Sequence, residues 1–280
     1  MEGLPDYTKR LPELQHEWHE CTRCSLGEYR EEVGGKFVAG EGGTRSVMFI
    51  GEGPGVQEEA HGRPFVGKSG DILRTALAKL RLPAYLTNLV GCRSCGRAYD
   101  REGNLKYRKD RRGSLSPMIQ DMPPNPAQIS ACSPRLNEEI YLVDPLLIVA
   151  LGAEASKALT RKAVSVVADS GQFYEVTIPG AGFHPALTPK KKVWARKVRG
   201  QLVMPAERNT VRYLMMPLMH PAYIARRHTD ARHGNPLQTF IDGMNKASGV
   251  YQRYLQETSG FVHVAGKLNE GDLRPLLIED

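Results

Sequence analysis

Two cysteine pairs lie on either side of a glycine-rich turn, and this arrangement limits the folds open to the chain. Cys21 and Cys24 form a C-x2-C pair near the N-terminus. Cys92 and Cys95 form a second pair, and Cys132 follows a long basic stretch. Between the pairs stand Val47-Met48-Phe49-Ile50, the turn Gly51-Glu52-Gly53-Pro54-Gly55, and then Gly62-Arg63-Pro64-Phe65-Val66-Gly67. A short apolar run ending in glycine reads as a buried strand delivering a turn. If the flanking cysteines share a ligand, the N-terminal arm must fold back on the core that this strand begins. No stretch approaches the roughly 20 apolar residues needed to span a bilayer, and Met1 to Arg10 carries no apolar leader segment. The expectation is a cytoplasmic protein with no membrane association. In that compartment, paired cysteines indicate metal or redox chemistry rather than disulfides.

The remaining pattern alternates strands and helices. Ser69 to Leu80 places Ile72, Leu73, Ala76, Leu77 and Leu80 on one helical face. Tyr85 to Val90 reads as a second strand, Ile129 to Leu142 as a helix, Leu146 to Leu151 as a third strand, and Ala153 to Leu159 as another helix. Tyr213 to Leu218 reads as the last strand, followed directly by His220-Pro221. Such alternation predicts a mainly parallel four-stranded sheet covered on both faces. Ligands of these sheets bind outside the carboxyl ends of the strands, which here carry Gly51-Glu52, Asn88, Gly152 and His220. Residues 1–233 read as one domain with insertions at about 96–128 and 161–198, and residues 234–280 as a partly helical extension.

The chain carries a net charge of +7, unevenly spread. Residues 190–212 hold eight Lys/Arg, including Lys190, Lys191 and Lys192, against one acid; residues 96–128 hold seven against four acids. Arg226, Arg227 and Arg232 form a third cluster. Clusters that converge on one face make a phosphate-backbone footprint.

Taken together, these residues resemble family 4 (iron–sulfur) uracil-DNA glycosylases. Gly51-Glu52-Gly53-Pro54-Gly55-x-x-Glu58-Glu59 with Gly62-Arg63-Pro64-Phe65-Val66-Gly67-x-x-Gly70 is similar to the family's first motif. Thr87-Asn88-Leu89-Val90-x-Cys92-Arg93, Cys132 with Pro134 and Leu136, Leu151-Gly152-x-x-Ala155, and His220-Pro221-Ala222-Tyr223-Ile224-x-Arg226 are similar to later blocks, in the family's order. Departures include Gly53 for a usual Ala, Gly91 for a usual Lys, Ser94 for a usual Pro, and a much wider spacing between Cys92 and Cys132. The resemblance implies a three-layer α/β/α sandwich, a [4Fe–4S] cluster, and uracil removal from DNA.

The chemistry sets its own demands. Breaking an N-glycosidic bond puts negative charge on the departing base and oxocarbenium character on the sugar, and the base must first leave the stack. The pocket needs an aromatic face, for which Phe65 is the candidate, and an amide matched to the uracil edge, for which Asn88 is the candidate. It needs a donor to the base O2, assigned to His220, and a carboxylate for water or the sugar cation, assigned to Glu52. Backbone N–H groups of Gly51 and Gly53 add donors. Ile224 is placed to wedge into the gap left by the flipped base, and Lys190, Lys191, Lys192, Arg226 and Arg227 to bind phosphates. Spacing alone leaves two metal readings: zinc on Cys21, Cys24, Cys92 and Cys95, or, as the resemblance implies, the cluster on Cys21, Cys24, Cys92 and Cys132 with Cys95 spare. The expected partner is uracil-containing DNA and the expected state a monomer. The competing reading is a non-catalytic iron–sulfur or zinc DNA-binding protein with a vestigial pocket.

Overall fold

Each apolar run identified above becomes a strand or helix in the computed structural model, which describes residues 7–109, 112–179, 196–198, 201–203, 210–227, 234–259 and 266–277. Helices α1 (Tyr7–His19) and α2 (Ser25–Glu32) precede strands β1 (Glu41–Gly42) and β2 (Val47–Gly51). Helices α3 (Val56–His61) and α4 (Lys68–Leu80) lead to β3 (Ala84–Asn88). Four short strands follow: β4 (Cys95–Arg97), β5 (Tyr107–Lys109), β6 (Leu115–Pro117) and β7 (Ile119–Asp121). Then come α5 (Pro126–Val143), β8 (Leu147–Leu151), α6 (Ala153–Thr160), α7 (Val166–Asp169), β9 (Tyr174–Pro179), the short pair β10 (Arg196–Val198) and β11 (Gln201–Val203), and β12 (Thr210–Leu218). Helices α8 (Pro221–Arg227), α9 (Pro236–Ser259) and α10 (Glu270–Leu273) complete the order.

The main sheet runs β1-β3-β2-β8-β12-β9. Its four inner strands are parallel and correspond to the four read from the sequence. Two antiparallel edges, β1 on β3 and β9 on β12, widen it to six. Strand β9 falls in the segment expected to be an insertion. It buries only Val176 and Ile178 on one side, a weaker signal than the fully buried β2 and β8.

Side-chain alternation across the sheet builds two apolar layers. Phe49, Leu86, Leu147, Val149 and Leu218 face α4, α8 and α9; Met48, Ile50, Tyr85, Ile148 and Ala150 face α5 and α6. The result is a three-layer α/β/α sandwich. The segment 234–280 supplies α9, whose Leu237, Phe240, Ile241, Met244 and Ala247 are buried against the sheet at helical spacing. No described helix is long and apolar enough to cross a membrane.

Two local features bear on function. Chain order reverses between β2 and β8, so their carboxyl ends diverge and open a crevice. In α5, Pro134 removes a helical N–H, and the Ser133 hydroxyl donates to the orphaned Ser130 carbonyl at 2.9 Å. Cys132 sits in this proline-interrupted turn.

Candidate active site and cysteine pocket

The carboxyl ends of β2, β3, β8 and β12 border one cavity of about 590 Å³. Gly51 shows why glycine closes β2. A Cβ there would come within 2.4 Å of Asn88 Oδ1 and 2.9 Å of Phe65 Cζ. The amide and the ring both approach the bare backbone of residue 51, which no larger residue would permit. Gly53 is nearly as close-packed, its Cβ position lying 3.0 Å from Val90 Cγ2.

Phe65 adopts a left-handed backbone (φ 53°), and its neighbours hold it there. Arg74 Nε donates to the Phe65 carbonyl and Arg74 Nη2 to that of Pro64, each at 2.7 Å. The Glu58 carboxylate accepts from the backbone N–H groups of Gly55, Val66 and Gly67, each at 3.1 Å, stapling the 51–55 turn to the phenylalanine loop. A Cβ at Gly70 would strike the Phe65 carbonyl oxygen at 2.1 Å, so the first turn of α4 must carry a bare residue there. The Phe65 and His220 ring centroids lie 6.4 Å apart at 32°.

Asn88 is buried at the end of β3, and a charged network in α5 fixes its backbone. Arg135 donates through Nη2 to the carbonyls of Asn88 (2.5 Å) and Leu89 (3.1 Å), and through Nη1 to Glu139 (2.6 Å) and Thr87 (3.1 Å). Tyr85 donates to Glu139 Oε1 at 2.7 Å, and the Thr87 hydroxyl donates to Oε2, the oxygen that Arg135 also meets, at 2.8 Å. Both charges are buried and paired with each other, as such a pair requires, while Arg135 Nε is left without a hydrogen-bond partner among the described residues.

His220 follows β12 and lies against the left-handed Gly152 (φ 93°). The Ala222 N–H donates to its Nδ1 at 3.1 Å. Burial and, secondarily, the nearby Arg226 charge lower the imidazole to about 4. The ring is therefore neutral, with Nδ1 an acceptor and the proton on Nε2. Glu52 is half-buried, and its carboxyl is raised above the usual range first by burial and then by Glu154.

The cavity also has walls that sequence reasoning missed. Ser94, Asp121, Met122 and Pro124 come from the ends of the first insertion, and Val166 and Val167 from α7. Loop sequence carries no periodic signal that would announce such a role. Glu58 was legible only as a motif letter, and Arg135 was not singled out by sequence.

A second, smaller cavity collects Cys21, Cys24, Cys92 and Cys132, enclosed by Trp18, Leu26, Phe37 and Val90. Gly27 lets α2 approach, since a Cβ there would lie 2.2 Å from the Cys21 carbonyl oxygen; Gly91 is required because a side chain would enter the Phe37 ring. Arg30 donates to the carbonyls of His19 and Cys21. Cys95 stands apart, beside Tyr29, Arg93 and Glu59. Thus Cys21, Cys24, Cys92 and Cys132 line one cavity, and Cys95 is not among its lining residues. Among the described residues, no group of three or more His, Cys, Asp or Glu is arranged to hold a metal ion. Even so, the donors suit an anionic thiolate-bound group. The Nε atoms of Arg30 and Arg135 are buried without a hydrogen-bond partner among the described residues, with Arg30 near Cys92 and Arg135 beside Cys132. Burial pushes the Cys92 thiol up to about 12, with Arg30 partly offsetting it.

Residues 39–243 match the uracil DNA glycosylase superfamily. The type-4 uracil-DNA glycosylase of Pyrobaculum aerophilum is 30% identical over 208 residues, 69% of this chain and 92% of that one. That of Thermotoga maritima is 28% identical over 219 residues, 75% of this chain and 81% of its own. The chain belongs to the uracil DNA glycosylase superfamily. Within that superfamily, the match begins just before β1 and ends inside α9, spanning every strand of the main sheet.

Gly51, Glu52, Gly53, Phe65, Asn88 and His220 converge on the large cavity. Arg226 lines its rim, and Arg227 is exposed beside it. Ile224 does not fit the wedge role: it is fully buried (0%) in the apolar layer under α8. Successive residues of a helix point about 100° apart, and here Tyr223, not Ile224, lines the cavity. Lys190, Lys191 and Lys192 lie outside the described residues.

Proposed function

We propose that this protein excises uracil from DNA by hydrolysing the N-glycosidic bond, leaving an abasic site. The observation that carries the reading is the convergence of the Asn88 amide and the Phe65 ring over bare Gly51, with the His220 ring 6.4 Å from that of Phe65. The flipped base stacks on Phe65. The Asn88 amide offers one donor and one acceptor, matching O4 and N3–H of uracil. As the C1′–N1 bond breaks, its electron pair moves onto the base, and charge grows at O2. The neutral His220 donates Nε2–H there, a donor already oriented before charge develops. Glu52 stabilises the sugar cation and takes a proton from the water that adds at C1′. Tyr223 takes the gap-filling role, and Arg226 and Arg227 meet flanking phosphates.

Cys21, Cys24, Cys92 and Cys132 would hold a [4Fe–4S] cluster. Bound there, it supplies thiolate–iron bonds that tie the N-terminal helices to β3 and α5. All the steps above belong to side chains of the other cavity.

The test is release of free uracil from an oligonucleotide carrying a single uracil, using iron-loaded full-length protein. Uracil and an alkali-labile abasic strand are expected. Tight DNA binding with no uracil released would favour the vestigial-pocket reading instead.

A further inference from the structure

The first insertion builds an arm that the excision chemistry leaves without a role. Its four strands, β4 to β7, have three residues each, and among the described residues Ala98 is its one buried apolar residue between Cys95 and Met122. Both roots of the arm lie in the wall of the large cavity, Ser94 at one end and Asp121 and Met122 at the other. Beyond the roots, Tyr99 and Tyr107 are 54% and 53% exposed, far more than a folding role for tyrosine requires.

The aromatic residues are not alone on their faces. Strand residues two apart point the same way. Arg97 therefore shares a face with Tyr99, and Lys109 with Tyr107. Cross-strand register adds apolar neighbours to these faces: Ile119 opposite Arg97, Leu105 opposite Tyr99, Pro117 opposite Tyr107 and Leu115 opposite Lys109. Arg97, Arg101, Lys106, Arg108 and Lys109 are exposed and make no ion pair among the described residues. Of the acids nearby, the Glu102 carboxylate makes no ion pair among the described residues, and two others are engaged elsewhere. Asp100 caps its own turn through the backbone N–H groups of Glu102 and Asn104, and Asp121 pairs with Arg93 at 2.6 Å.

We propose that this arm binds unpaired DNA leading away from the flipped nucleotide, with Tyr99 and Tyr107 stacking on successive bases and the arm's cations meeting the phosphates. An exposed aromatic face with a cation beside it suits a base and its phosphate. A duplex would satisfy the cations but hide its base faces, leaving both tyrosines idle. A protein partner would suit the apolar residues but gives no reason for five exposed cations that make no ion pair among the described residues. The proposal rests on the glycosylase reading only for what occupies the pocket.

The experiment uses iron-loaded full-length protein and a fluorescent oligonucleotide without uracil, single-stranded or annealed, read by anisotropy. Tyr99→Ala with Tyr107→Ala should weaken single-strand binding at least tenfold and duplex binding less than twofold. Tyr99→Phe with Tyr107→Phe should stay within about twofold of wild type, because stacking survives and misfolding would not discriminate. Unchanged single-strand affinity in the alanine variant overturns the proposal and leaves the arm as a protein-docking surface. Equal losses on both DNA forms overturn it too, since stacking needs unpaired bases. Binding is read without catalysis, so a protein that fails to release uracil but shows the single-strand loss refutes the glycosylase reading alone.

Discussion

The backbone N–H of Ala222 donates to Nδ1 of His220 across 3.1 Å, and this short local bond decides what the histidine can do. Protonating Nδ1 would set two N–H groups against each other. The imidazole therefore stays neutral and presents Nε2–H to the cavity. Because its folded value is about 4, below the ordinary 6.5, the unfolded chain binds this proton first as pH falls. His220 thus costs stability between pH 6.5 and 4, and its donor form persists through neutral pH. His220→Ala should slow single-turnover excision about 100-fold or more while DNA affinity changes little. A comparable loss in affinity would make the residue a binding group.

The acid limb of the pH–rate profile should belong to Glu52, which must be ionised to accept a proton. Burial, then Glu154, raises its carboxyl, so activity should fall on the acid side above the usual glutamate range. Glu154→Gln removes the second cause and should move the limb to lower pH. A limb that does not move would mean another group controls it.

Asn88→Asp loses the N–H that answers O4 and should cost about 1–3 kcal/mol in transition-state binding of uracil. Arg135→Met should lower excision by freeing the Asn88 carbonyl, although Arg135 touches no substrate. Discrimination between uracil and thymine in a competition assay separates the two variants, with Asn88→Asp expected to erode it more.

Purified protein should contain cysteine-bound iron and absorb broadly near 400 nm, roughly as thiolate–iron charge transfer does. Cys21→Ala or Cys132→Ala should lose that band; Cys95→Ser should keep it, because Cys95 sits outside the cysteine cavity. Stoichiometric zinc without iron would overturn this assignment.

Ile224→Ala should destabilise the fold by about 2–5 kcal/mol, as emptied core positions do. Tyr223→Ala should leave stability closer to wild type and slow excision from duplex more than from single strands, since only a duplex needs its gap held open. Equal effects on both substrates would remove Tyr223 from the wedge role.

Much of this was legible in the chain because it is local. The strands Val47–Gly51 and Leu147–Leu151 are apolar throughout, the glycine turn follows directly, and one strand ends at Asn88 while another leads to His220. Fully buried parallel strands and the residues that end them must be written consecutively. Tertiary structure alone decided three other matters. Whether Cys92 or Cys95 joins the cysteine cavity depends on how β3 leaves the sheet, and two cysteines three residues apart look alike in sequence. Whether residue 223 or 224 faces the pocket depends on the rotation of α8 about its axis, set by Ile224 entering the core. The bonds of Arg135 and Glu139 to Tyr85, Thr87 and Asn88, and the insertion's place in the cavity wall, join residues far apart in the chain. Their partners are chosen by distance in space, which a one-dimensional pattern of residue types does not encode.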